Sequence, residues 1–247
     1  MLVDKNYRGV DILFEDNHLL VVSKPQNMPS QPDASNDLDL YNLLKEYRKE
    51  NENKTGDAFI GIVHRLDRPT GGVMVFAKTS KAASRLTESM KNGDFEKKYL
   101  AVVRGTPKER RGNLVDYLLK DEDKNIVLVL PTRADGAKEA ILDYKLLEAK
   151  TKTSLLEVVL TTGRSHQIRV QLSNIGVPIF GDMKYGAKEN EDIKGKNLHL
   201  ALWAHMLKFE HPITHEKHVF ISYPPLSTMP WSLFDIETHL KLIVPKD

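Results

Sequence analysis

The sequence predicts an α+β chain, a mixed and largely antiparallel sheet with helices packed on it. Two observations carry that expectation. Short β-branched and apolar runs outnumber the segments with helical spacing, and neighbouring runs often follow one another with no helix between them. That pattern fits antiparallel pairing better than a doubly wound parallel sheet. At 247 residues, with 40% apolar and 28% charged side chains, the chain can bury a substantial core as one domain, or as one bilobed domain with a cleft between its halves. Residues 1–247 are therefore read as a single domain with a core from about residue 11 to 225.

The elements follow in order. ILFEDNHLLVVSKP reads as two short strands about an Asp16-Asn17 turn, the second halted by Pro25. QNMPSQPDASND is a polar loop. In LDLYNLLKEYRKE, Leu40, Leu43, Leu44 and Tyr47 share one helical face, and NENKTGD follows as a linker. Phe59, Ile60, Ile62 and Val63 predict a buried strand running into HRLDRPTGG, which puts Asp67 just past a strand end. GVMVFAK is a strand. TSKAASRLTESMKNG is a helix with Thr79 or Ser80 as N-cap, Ala82, Ala83, Leu86 and Met90 facing inward, and Gly93 as its stop. KKYLAVVRG, AILDYKLLEAK and TSLLEVVLT are strands, the last two joined by a polar turn. SHQIRVQLSNIG reads as a helix capped by Ser165 and ended by Gly176, HVFISYPP as a late strand, and PWSLFDIETHLK as a C-terminal helix with Pro230 in its first turn.

Composition removes several classes of function. The absence of cysteine excludes disulfides, thiolate catalysis and thiolate-ligated zinc or iron–sulfur sites, and fits a cytoplasmic protein. The first residues carry acids rather than the apolar core of a signal peptide, and runs such as IVLVL are too short to span a bilayer. Neither export nor membrane insertion is expected. GxxxxGK[ST], HExxH and GxSxG are all missing, and with them the usual signatures of nucleotide hydrolysis, zincin and α/β-hydrolase chemistry. His199, His205, His211, His215 and His218 cluster late in the chain, but Pro212 breaks any strand that would align them and no carboxylate completes a ligand set. No metal site is expected. The net charge of +2 hides an asymmetry: residues 1–60 hold 7 basic and 11 acidic side chains, residues 61–111 hold 12 and 5. A basic block of that kind is either a solvated face or the footprint of a polyanion such as RNA.

That block opens on HRLDRPTGG, where Asp67 stands between Arg65 and Arg68. Flanking guanidiniums favour an ionised carboxylate, which suits a nucleophile or electrostatic stabiliser better than a general acid. A surface ion pair would carry the same pattern. The paired glycines permit a tight turn and close approach of a ligand.

HRLDRPTGG, KKYLAVVRG, TGRSHQIRVQLSNIGVPIFGDMKYG and LKFEHP stand together with ILFEDNHLLVVSKP in one order and spacing. From about Ile12 to Pro225 the chain thereby resembles the RluA-type pseudouridine synthases. The resemblance implies their fold, a bilobed and largely antiparallel central sheet with flanking helices and a cleft. It implies isomerisation of uridine in rRNA or tRNA to its C-glycoside, with no cofactor. Asp67 would be the essential carboxylate, either attacking the anomeric carbon or removing a sugar proton. Tyr99 matches the tyrosine that stacks on the target base, and Arg164 the basic residue that pairs with the aspartate. His64, Arg65, Arg68, Lys97, Lys98, Arg104 and Arg169 are candidates for holding RNA around a flipped-out uridine, and Arg65 for helping to extrude the base.

Three positions depart from the family pattern: Gly71 replaces a usual serine, Gln171 a frequent histidine and Trp203 another histidine. They bear on substrate preference more than on activity. With about ten residues before the first strand, no separate N-terminal RNA-binding domain is expected, and the chain should act as a monomer. A catalytically silent RNA-binding protein or folding helper is the alternative, but it would be expected to have lost Asp67, Tyr99 or Arg164. A nucleoside or glycoside hydrolase would need a second cooperating carboxylate. Asp182 is the one contender, and by resemblance it belongs to a structural turn.

Overall fold

β1 (Leu2–Tyr7) turns through Arg8 and Gly9 into β2 (Val10–Glu15), and Asp16 then folds the chain into β3 (Leu19–Lys24). The Asp16 carboxylate makes this turn by accepting from the amides of His18 (2.7 Å) and Leu19 (2.6 Å). α1 (Leu40–Asn51) starts at Asp39, whose side chain accepts from the Asn42 amide at 3.0 Å, and it buries Leu40, Leu43, Leu44 and Tyr47, the face foreseen from spacing. After β4 (Gly61–Ile62) and β5 (Gly71–Ala77) comes α2 (Ser80–Asn92). Thr79 rather than Ser80 is its N-cap, and Gly93 ends it in the left-handed conformation that glycine adopts without strain. β6 (Glu96–Arg104), the hairpin β7 (Arg111–Asp121) and β8 (Ile126–Leu130), β9 (Lys138–Ala149) and β10 (Thr153–Leu160) follow. α3 (Gln167–Asn174), β11 (Leu202–Glu210), β12 (Lys217–Ile221) and α4 (Ile236–Lys241) complete the order. This computed structural model describes residues 2–52, 56–196 and 198–241; residues 53–55 of the expected linker lie outside them.

The chain divides into two compact units, each the product of two segments: Met1–Lys97 with Ala204–Ser222, and Lys98–Trp203 with Tyr223–Asp247. In the first unit the strand order is β1-β2-β3-β5-β11, with β4 on β5 and β12 on β11. β5 is buried along its whole length and β3 at every position but one. Phe14, Val21, Val75, Ala82, Leu86, Phe95, Phe209 and Phe220 meet in one apolar cluster that fixes the register of these strands. His211 fastens the turn between β11 and β12: its Nδ1 accepts from the Thr214 amide at 2.9 Å while Nε2 meets Asp16 at 2.9 Å.

In the second unit, which holds β6 except for Glu96 and Lys97, the order is β6-β10-β9-β7-β8, antiparallel throughout. α3 lays Val170 on Leu118, Val127 and Ala140. Buried Gln171 donates to the Asp116 carboxylate at 2.7 Å, so this departure from the family pattern joins helix to sheet. The α+β class and the largely antiparallel sheet expected from the sequence are what the chain forms. Among the described residues no helix is long and apolar enough to cross a membrane.

Four local expectations change. The strand expected from Phe59 to Val63 shrinks to Gly61–Ile62, because the Phe59 carbonyl accepts from the Arg48 guanidinium instead of a neighbouring strand, and the Phe59 ring is exposed. β1, β7 and β8 were not foreseen; β7 carries Gly112, Asn113 and Asp116, all weak strand formers, and is held by its neighbours on both sides. α3 begins at His166, not Ser165. His166 takes a left-handed conformation with no side-chain cap, and the Gln167 carboxamide accepts from the Arg164 amide at 3.0 Å in its place. The C-terminal helix is split into a turn of 3₁₀ helix at Trp231–Leu233 and α4, separated at Asp235, which accepts from the Thr238 amide at 3.2 Å.

Candidate active site

HRLDRPTGG runs from the end of β4 into β5 as a loop fixed by main-chain bonds. Buried Ser30 holds Leu66 from both sides: its hydroxyl donates to the Leu66 carbonyl at 2.7 Å and accepts from the Leu66 amide at 3.2 Å. The Thr70 amide closes a four-residue turn onto the Asp67 carbonyl at 2.9 Å, and Gln26 donates to the Pro69 carbonyl at 3.0 Å. Gly72 then follows with φ +119°, where a side chain would overlap the backbone of Ala204; only glycine fits. Asp67 is half-buried on this turn and Arg65 exposed.

The cations around Asp67 differ from the expectation. Arg68 is drawn away to the 33–37 loop, where its guanidinium pairs with Asp37 and donates to Ser35 at 3.0 Å and to the Asn27 carbonyl at 3.2 Å. The cation beneath the turn is Lys24, at the end of β3. It is fully buried, and its ammonium donates to the carbonyls of Met28 (2.7 Å), Pro25 (3.0 Å) and Arg68 (3.1 Å). Burial pulls the Lys24 pKa down to about 7; the Asp67 charge holds it up against that pull and the Arg68 charge adds to it. Sequence reasoning missed Lys24, although a lysine ending an otherwise apolar strand, directly before a proline, was a visible signal.

His64 does not present a charge to RNA. Its Nε2 accepts from the Val75 amide at 3.1 Å and its ring lies 5.9 Å from that of Phe95. Burial, with the Lys97 charge adding, lowers its pKa from 6.5 to about 3, so the ring is neutral. Between those two pH values the unfolded chain binds a proton that the folded chain does not. Stability therefore rises with pH across that window and is lost as pH falls through it. Denaturant melts between pH 3 and 7 are expected to show a shallower acid loss in His64→Asn than in the parent; parallel curves would place the acid sensitivity elsewhere.

The other expected residues lie in the second unit, apart from half-buried Lys97, which burial shifts to a lower pKa. Tyr99 is buried on β6 opposite Val158 of β10, with Lys98 opposite Val159. Arg164 is exposed on the loop that leaves β10, its Nε donating to the Glu139 carbonyl at 2.8 Å. Gln167 latches this loop to β9 by donating to the Ile141 carbonyl at 3.1 Å and accepting from the Thr162 hydroxyl at 2.8 Å. Tyr99 thus lies on β6 and Arg164 on the loop that follows the neighbouring strand β10.

Arg104 and Arg169 are corrected. Arg104 stacks 4.3 Å from the Phe180 ring centre and bonds Asn190 at 3.0 Å and Asp192 at 2.6 Å. Arg169 is buried and pairs two-pronged with buried Asp182 at 2.8 and 2.9 Å. A guanidinium in that position is unavailable to an RNA backbone, and Asp182 is occupied as its counter-ion rather than poised as a second catalytic acid.

The profile of the RNA pseudouridylate synthase family matches residues 18–174, a span that holds Asp67, Tyr99 and Arg164. An uncharacterised RNA pseudouridine synthase of Bacillus subtilis is 33% identical over 217 residues, covering 85% of this chain and 67% of that protein. A ribosomal large subunit pseudouridine synthase C of Buchnera aphidicola is 34% identical over 219 residues, covering 86% of this chain and 66% of that protein. The chain thus spans about two thirds of the length of the curated relatives it matches. Among solved structures, the human RNA pseudouridylate synthase domain containing 1 superposes with a TM-score of 0.74 at 22% identity, over 98% of both chains, which shows a shared fold. With the profile match over well more than half its length and relatives above 30% identity, the chain belongs to the RNA pseudouridylate synthase family.

Proposed function

We propose that this chain is an isomerase that converts selected uridines in RNA to pseudouridine without a cofactor, with Asp67 as the essential carboxylate. The observation that carries the reading is the Asp67 turn itself: a half-buried carboxylate, held by main-chain bonds on both sides, with a buried ammonium beneath it. A surface ion pair has no use for such a scaffold. In the reaction the bond from ribose to the ring nitrogen breaks, the base turns over, a ring carbon bonds to the ribose, the proton on that carbon leaves to water, and the freed ring nitrogen takes up a proton, so that the product is an isomer of the substrate. Asp67 serves as nucleophile or as base toward the sugar. By the family pattern, Tyr99 matches the tyrosine that stacks on the base and helps remove the ring-carbon proton, and Arg164 matches the basic partner of the carboxylate.

The target base must leave its stack, at a cost of about a few kcal/mol. Arg65, exposed two residues before Asp67, fills the space it vacates, and Lys98 holds the RNA backbone. The names of relatives such as the Buchnera aphidicola protein favour ribosomal RNA of the large subunit as substrate, and the cytoplasm as the place of action. The test is a map of pseudouridines in total RNA from cells with the protein, without it, and with Asp67→Ala in its place. At least one site is expected to vanish without the protein and to return only with the parent chain. No lost site in either comparison would overturn the enzyme reading, and sites restored by Asp67→Ala would overturn the assignment of the carboxylate.

A further inference from the structure

Two exposed cations, Arg111 and Lys145, stand directly opposite each other on the antiparallel pair β7–β9. Like charges paired in this way destabilise a sheet, because the Cβ atoms of such a pair are only about 5 Å apart. On the other side of Lys145, on β10, lies Glu157. Its carboxylate is two strands, about 10 Å, from Arg111, so it does not offset both cations. Glu157 is also 7% exposed, a charge largely withdrawn from water. Two residues along, the next row across the same strands holds Asn113, Asp143 and Val159. There Asp143 already accepts from the Asn113 amide at 3.0 Å. These six residues line an open pocket of about 570 Å³. Tyr99 pairs with Val158, and side chains alternate between the two faces of a strand. Glu157 and Val159 therefore point away from the face that carries Tyr99, and the pocket is distinct from the residues assigned to catalysis.

A carboxylate in such a place gains most from a ligand that offers it two N–H groups side by side. Among the nucleobases guanine does this, with its N1–H next to its 2-amino group. Adenine and cytosine set an acceptor nitrogen beside their amino groups, and uracil flanks its one N–H with carbonyls. The two opposed cations call for an anion between them, and the distance from Glu157 to that pair is the span of a nucleotide from base edge to phosphate. We propose that this pocket binds a guanosine phosphate: Glu157 accepts from guanine N1–H and the 2-amino group, the ring lies on Val159, and the phosphate bridges Arg111 and Lys145. Free nucleotide and an unpaired guanosine of an RNA chain present the same chemistry. The site does not depend on the role of Asp67.

The experiment is titration calorimetry of the whole chain with GMP, AMP and inorganic phosphate, for the parent, Glu157→Gln, Arg111→Ala and Lys145→Ala. GMP is expected to bind saturably, about tenfold or more tighter than AMP, with phosphate weaker than either. Glu157→Gln should bring the two nucleotides within about threefold of each other, since an amide cannot accept both N–H groups. Arg111→Ala and Lys145→Ala should each weaken GMP and AMP alike by about 3- to 10-fold, and neither should melt below the parent when ligand is absent, because each relieves the like-charge pair. No saturable GMP binding at millimolar concentration, equal affinity for GMP and AMP, or a GMP preference that survives Glu157→Gln would each overturn the proposal. Should Glu157→Gln fail to fold, the exposed cations decide: GMP affinity unchanged in both alanine variants would overturn it. A uridine-free RNA hexamer of adenosines with one guanosine separates the two sources. If RNA supplies the guanosine, this hexamer displaces GMP and the all-adenosine hexamer does not; if the ligand is free nucleotide, neither displaces it. In the first case KM for substrate RNA should rise about threefold or more in Glu157→Gln, and in the second it should stay at the parent value. Turnover for that measurement is read with RNA from cells lacking the protein and fed uridine tritiated at the ring carbon where the new bond forms, so that each turnover releases tritium to water.

Discussion

Asp67→Asn is expected to lower kcat by about 10⁴-fold or more, the scale seen when a group that forms or breaks bonds is removed, while RNA affinity stays within a few-fold. The substitution changes two atoms' chemistry and almost no geometry. The turn is closed by the Asp67 carbonyl, and Leu66 and Pro69 on either side are tied through their own backbone to Ser30 and Gln26. The amide therefore sits where the carboxylate sat, but it can neither attack the anomeric carbon nor accept a sugar proton. Tritium release measures the first effect, and a thermal melt within about 2 °C of the parent confirms that the fold is untouched. A variant retaining even a tenth of parental turnover would remove Asp67 from the reaction.

Asp182→Ala should be the most damaging change for stability, costing about 3–5 kcal/mol, because it leaves the Arg169 guanidinium buried with its main counter-charge gone. Asp182 also accepts from the amides of Lys184 (3.0 Å) and Tyr185 (3.1 Å), so the turn after it loosens as well. For a chain of this length a loss of that size lowers Tm on the order of 10 °C. Arg169→Met should cost less, since Asp182 keeps those two amides. The double variant Asp182→Ala with Arg169→Met should be more stable than the sum of the single losses predicts, because it removes both charges. Chemical denaturation of the four proteins gives the coupling directly. Simple additivity, with Asp182→Ala costing under 1 kcal/mol, would show that the pair carries little of the unit's stability.

These two aspartates mark what the sequence revealed and what it hid. The Asp67 turn was legible because its cause is local: arginine, proline and glycine within a few residues dictate a tight, ligand-accessible loop. α1 and α2 were legible for the same reason, their apolar period and their caps Asp39, Thr79 and Gly93 all lying inside the segment. Arg169 was misread because its role depends on a partner 13 residues away. Its sequence neighbours Ile168, Val170 and Leu172 are all buried, which left little room for a surface cation. Arg68 was misassigned by the same shortcut, since adjacency to Asp67 in sequence does not decide where a long side chain reaches. Lys24 was hidden because its burial comes from the sheet order: β3 is flanked by β2 and β5, and a lysine there is enclosed in a way no strand pattern announces. β7 was hidden because its sheet neighbours override weak intrinsic preference.

The seam between Gly72 and Ala204 bears on how the Asp67 turn can move. Side chains in a packed core act as springs, because rotamers shift and let neighbouring backbones slide by fractions of an ångström. At Gly72 there is no spring, since backbone lies against backbone with no room even for a methyl group. A displacement of β11 at Ala204 is therefore passed to the start of β5, and two peptides further to Thr70 and the turn, with little lost on the way. The carboxylate is suspended on a stiff mounting, whose alignment is set by where β11 sits more than by the side chains packed around it.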